Sequence, residues 1–143
     1  MKRLSAFVIG ISLLLATAYH LAAQNSTKHH VVVEVNLEGS DAWVGALNNI
    51  ENLQRAFAPA EVQVEAVSHG KGLGMLLKSN LALRERLQQL SAQGVVFAAC
   101  QNTMRKRNLT KDDLFPFVVT VDSGVAEIVR KQETGWSYLK TGG

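Results

Sequence analysis

A single cysteine, Cys100, occurs in the 143 residues, so the chain cannot close a disulfide within itself. That excludes a scaffold stapled by disulfides. It also leaves few soft ligands for a metal. His29, His30, His69 and Cys100 are the only imidazole or thiol groups after residue 23, and no Cys-x-x-Cys or His-x-x-x-His spacing joins them, so no metal site and no cofactor is expected. Aromatic residues make up 6% of the chain, and no repeat or low-complexity tract is visible. A serine-hydrolase elbow, Gly-x-Ser-x-Gly, is missing, and no glycine cluster has the spacing of a dinucleotide fingerprint or a P-loop.

Charge of one sign is nearly lacking too. The formal net charge is +3, but Lys2 and Arg3 are two of the fifteen basic residues and lie in a segment with the character of a signal peptide. The remaining thirteen face twelve acidic residues, which excludes the strongly basic face of a nucleic-acid binder. In residues 1–23 a positive start is followed by an apolar run, Leu4 to Ala18, and then by small residues at Ala16-Thr17-Ala18 and Leu21-Ala22-Ala23. The run of about 15 residues falls short of the roughly 20 that span a bilayer. Cleavage near Ala23 and export to a bacterial periplasm or the medium are expected, with a membrane attachment only if the segment is retained. Residues 24–30 read as a flexible lead-in, and residues 31–143 as one domain with a single core.

What is present alternates in type. Val31 to Leu37 is a β-branched run of strand length, followed by a turn in which Ser40 or Asp41 is placed to cap a helix. Trp43, Ala46, Leu47, Ile50, Leu53 and Phe57 then recur at helical spacing up to Pro59. Asn48, Asn49 and Asn52 read as a solvated or subunit-facing side of that helix. Glu61 to Ser68 alternates as a second strand. The loop His69-Gly70-Lys71-Gly72 leads into Leu73 to Leu77, and a helix over Leu81 to Gln93 ends at Gly94. Val95 to Ala99 forms the third strand and opens at Cys100 into a helical turn through Arg107. A capped turn at Thr110 to Leu114, a fourth strand over Phe117 to Val121, and a helix from Gly124 to Glu133 capped by Ser123 complete the order. Trp136, Tyr138 and Leu139 give the end of the chain enough apolar weight to dock, with Trp136 and Tyr138 read as core or interface anchors. Strands alternating with helices predict a three-layer α/β/α sandwich on a mostly parallel sheet, flavodoxin-like in broad class.

Ligands of such sheets bind beyond the carboxyl ends of the strands. Cys100 arrives at that edge, before a helical turn and ahead of Arg105, Lys106 and Arg107, a setting that favours a thiolate nucleophile. The same residue also fits a buried, inert cysteine at a strand end. His69 fits an acid–base or orienting group, or an exposed histidine in a tight turn. Gly70, Gly72, Gln101, Asn102 and Thr103 are the remaining candidates for a pocket at this edge.

Four stretches resemble the DsrE/DsrF-like sulfur-relay family, and more narrowly its small exported DsrE-type branch. They are Ala46-Leu47-Asn48-Asn49-Ile50-Glu51-Asn52-Leu53, Ser68-His69-Gly70-Lys71-Gly72-Leu73, Gly94 to Met104, and Ser123 to Lys140. The resemblance spans roughly Val31 to Lys140. It implies a three-layer α/β sandwich assembled as a homotrimer or homohexamer. It also implies that Cys100 matches the cysteine that carries sulfur as a persulfide, with a protein or small thiol as donor and acceptor. The expected function is therefore a sulfur carrier. The alternatives are a non-catalytic exported module that binds a small ligand or a protein, and a thiol redox sensor in which Cys100 is reversibly oxidised.

Overall fold

A computed structural model describes residues 28–58 and 61–141. The signal segment expected over residues 1–23, and the lead-in up to residue 27, lie outside the described residues. The rest of the lead-in does not behave as one. His29 and His30 open strand β1 (His29–Val35), where the His29 ring packs tilted against Phe57 with centroids 4.0 Å apart and the His30 ring against Trp136 at 5.2 Å. Their apolar ring faces are covered by neighbours that lie far off in sequence.

Helix α1 spans Ser40–Phe57, and its cap falls one residue before Ser40, the earlier of the two expected caps. Gly39, with φ +109°, takes the cap position, so Ser40 lies in the helix and Asp41 in its first turn, where its charge suits the helix dipole. Strand β2 (Val62–Ser68) leads into a 3-10 helix over Gly70–Leu76, which takes in most of the expected glycine-rich loop and of the apolar segment after it. A short 3-10 turn, Leu81–Leu83, precedes α2 (Arg84–Ala92), and Gly94 follows with φ +97°. Strand β3 (Val96–Cys100) passes directly into α3 (Gln101–Lys106). Thr110 and Asp113 close the expected capping box around Lys111–Asp113. Strand β4 is Val119–Val121, and α4 is Gly124–Glu133, capped by Ser123 as the sequence predicts. The docked tail turns out to be a fifth strand, β5 (Ser137–Lys140).

All strand pairs are parallel, in the order β4-β3-β2-β1-β5. The chain therefore steps outward from β1 to β4 and then returns across the whole sheet to β5. The outward crossovers lay their apolar side chains on one face: Leu47 and Ile50 from α1, Leu73 and Met75 from the 3-10 segment, Leu87 and Leu90 from α2, and Met104 from α3. A connection running the opposite way keeps the favoured right hand only on the other face. Helix α4 makes that return and covers the second face alone, with Ile128 on Val32, Val67 and Ala98. The result is a three-layer sandwich whose layers are unequal. The face under α4 carries the site.

Candidate functional site

Side chains alternate along each strand, so Glu34, Val67, Ala98 and their neighbours at two-residue spacing share the α4 face. Ser68 pairs with Ala99, which brings the next residues, His69 and Cys100, side by side at the carboxyl edge. The amino end of α4 closes over them. A Cβ added to Gly124 would lie 3.0 Å from the His69 Cβ, 3.2 Å from the Cys100 Cβ and 3.3 Å from Val67 Cγ1. A side chain at Gly124 would crowd His69 and Cys100, so the glycine lets α4 start this close to the thiol without displacing them.

Cys100 is free and 4% exposed. Burial pushes its thiol up, but hydrogen bonds to the sulfur from the Gly124 and Thr103 N–H groups, the Thr103 hydroxyl and the Asn102 N–H outweigh it. The net effect holds the thiol below its ordinary value. The Thr103 hydroxyl accepts from the Gly70 N–H at 2.9 Å, which leaves its own proton free to be donated to the sulfur. Such donors stabilise a thiolate.

Beside the thiol, His69 belongs to a chain of side chains running back along the sheet. Its Nε2 donates to Glu34 Oε1 at 2.7 Å, and Asn36 Nδ2 donates to the same oxygen at 3.1 Å. The Tyr138 hydroxyl donates to Glu34 Oε2. Burial raises the Glu34 carboxyl, but the bonds from Tyr138 and His69 more than offset this and keep it ionised below its usual range. The same bond pushes Tyr138 up to about 12. A carboxylate can only accept, so the hydrogen in this bond sits on His69 Nε2, and Glu34 fixes the orientation of the ring. Glu34 and Tyr138 had not been identified as site residues from sequence. The available signal was a lone acid inside an otherwise apolar strand.

A cleft of about 550 Å³ opens at this edge, lined by Glu38, His69, Gly70, Lys71, Thr103, Lys106 and Arg107. The sulfur does not line it. Thr103, which does, bonds both the sulfur and Gly70. The other sequence candidates fall elsewhere. Gly72 packs so tightly on β1 that an added Cβ would meet the Val35 carbonyl oxygen at 2.1 Å. Gln101 Nε2 donates to Thr120 Oγ1 at 3.0 Å, and Asn102 reaches Cys100 through its backbone while its side chain accepts from Arg105. Among the described residues no group of three or more His, Cys, Asp or Glu side chains is placed to hold a metal ion.

The family model for the DsrE/DsrF-like family matches residues 15–141. Among solved structures, the protein of unknown function MTH1491 from Methanobacterium thermoautotrophicum is 31% identical. It aligns over 79% of this chain and 99% of its own, with a TM-score of 0.75. The YchN protein from E. coli, 16% identical over 79% of this chain and 98% of its own, shares the fold with a TM-score of 0.60. No curated protein matches the chain.

Proposed function

This chain belongs to the DsrE/DsrF-like family, and we propose that it is a sulfur carrier holding sulfane sulfur as a persulfide on Cys100. The observation that carries the reading is the convergence on Cys100 of the close-packed amino end of α4 at Gly124 and of the first turn of α3 with Thr103, which together favour its anion despite burial. In the transfer step the Cys100 thiolate attacks the sulfane sulfur of a donor R–S–S⁻. The new bond forms to Cys100, the donor's S–S bond breaks, and its electron pair leaves on the donor thiolate R–S⁻. The same exchange in reverse, with an acceptor thiolate, unloads the carrier. His69, oriented by Glu34, stands beside Cys100 at the same edge, where an imidazole is placed to exchange a proton with an incoming thiol. The carrier works as a homo-oligomer and outside the cytoplasm. The first proposal is supported by the exposed Val125 and Val129 of α4, the second by the character of residues 1–23.

Treatment with polysulfide should add 32 Da to the intact mass, in a form that reductant removes and Cys100→Ser abolishes. A chain that gains no such mass, although Cys100 alkylates, is not a carrier. A second reading, a binding module with an incidental cysteine, draws on one observation: the sulfur is buried and does not line the cleft. Failure of Cys100 to alkylate in the folded protein would favour it over both the carrier and the redox sensor.

A further inference from the structure

The cleft beside the thiol is unequally charged. Lys71 is matched by Glu38, 3.5 Å away, both well exposed. Lys106 and Arg107 have no carboxylate within salt-bridge distance among the described residues, and both border the cleft. They follow Thr103 by three and four positions, so α3 and its last turn carry the thiol's hydroxyl partner and two free cations along one side. The rise of about 1.5 Å per residue sets the backbone of Lys106 and Arg107 roughly 5 Å along the axis from Thr103, and their long side chains carry the charges into the cleft wall. A sulfur oxyanion such as thiosulfate spans only a few bonds and fills a small part of the cleft. A ligand that reaches both ends carries its charge several bonds away from its sulfur.

Resting on the carrier reading above, we propose that the cleft admits a low-molecular-weight thiol persulfide bearing carboxylates, with a carboxylate at Lys106 and Arg107 and the sulfur end at Thr103. The transfer is then R–S–S⁻ + Cys100–S⁻ → R–S⁻ + Cys100–S–S⁻. The cations hold the donor by a group that takes no part in the exchange, so the released thiolate leaves under the same charge that admitted its persulfide.

Binding is tested apart from transfer, with the unreactive thioether S-methylglutathione and the Cys100→Ala chain. Saturable binding is expected by calorimetry at low salt. Its Kd should rise about tenfold or more in Lys106→Gln/Arg107→Gln, a change of about 1.4 kcal/mol, and stay within about threefold in Lys106→Arg/Arg107→Lys, which keeps both charges. Lack of saturable binding, or equal binding by the Gln pair, overturns the proposal. So does thiosulfate competing as well as the thioether, because the spacing between charge and sulfur would then be irrelevant. A protein that binds the thioether in this way but gains no 32 Da from polysulfide keeps the ligand class and loses the carrier reading.

Discussion

The two faces of the sheet are built by different means. Under α1, α2 and α3 lies a continuous apolar layer in which Leu47, Ile50, Leu73, Met75, Leu87 and Phe97 are almost wholly removed from water. Under α4 the apolar layer shrinks to Val32, Val67, Ala98 and Ile128, and polar groups share the remaining space. Glu65 is buried there against Lys131 Nζ at 2.6 Å, and the ammonium lies 4.2 Å from the centroid of the Trp136 ring. Glu34, His69 and Tyr138 occupy the same face next to Cys100. One face holds the fold together by excluded area, and the other holds polar groups by paired charge. A single helix over a wide sheet leaves room for groups that a full apolar layer would exclude.

Substitutions on the two faces should separate these means. The largest loss is expected for Leu47→Ala, at about 2–5 kcal/mol in urea unfolding, because a close-packed layer cannot collapse into the space left behind. A loss below about 1 kcal/mol would show that this layer is not the main source of stability. On the other face, Lys131→Ala should cost about 3 kcal/mol by leaving Glu65 buried without its cation. Glu65→Leu combined with Lys131→Met should return stability to near the starting value. If the double change is as costly as the single one, the pair contributes more than mutual neutralisation.

A smaller effect is expected at the thiol. Thr103→Val removes one donor from the sulfur anion, and a hydrogen bond to a charged group is worth about 1.5–3 kcal/mol, or roughly one to two pKa units. Because the bond favours the thiolate, its loss moves the titration midpoint upward. Alkylation of Cys100 near neutral pH should then slow on the order of tenfold, while the rate at high pH changes little. An unchanged pH profile would mean that the backbone N–H groups alone set the thiol's acidity. The smallest stability change, within about 0.5 kcal/mol, is expected for Val129→Ser on exposed α4. Sedimentation of that variant reads the assembly directly, and an oligomer that persists unaltered would place subunit contacts elsewhere.

The thick face was the more legible in sequence. Its helices follow the apolar spacing of Trp43 to Phe57 and Leu83 to Leu90, a short-range signal that any chain with that pattern would carry. The start of α4 at Ser123-Gly124 was legible too, since a cap acts within one turn. Strand β5 was not. Ser137 to Lys140 has little alternation of its own, and it becomes a strand because the free edge of β1 pairs with it. The polar chain on the thin face was hidden for the same reason. Glu34 and Tyr138 lie 104 positions apart and meet only once β5 lies beside β1.

By itself the sequence determined the alternation of strands and helices, the apolar stripes that bury one face, and the arrival of Cys100 at a strand end ahead of a helical turn. These are local properties, set by side-chain periodicity and backbone chemistry over a few residues. Only the tertiary structure decided the strand order, the placing of α4 alone over one face, and the meeting of Gly124, Thr103, His69 and Cys100. Those depend on crossover direction and on pairing between distant segments. The acidity of the thiol depends on them in turn, because three of its four donors follow it closely in the chain and the fourth comes from a helix twenty-four residues further on.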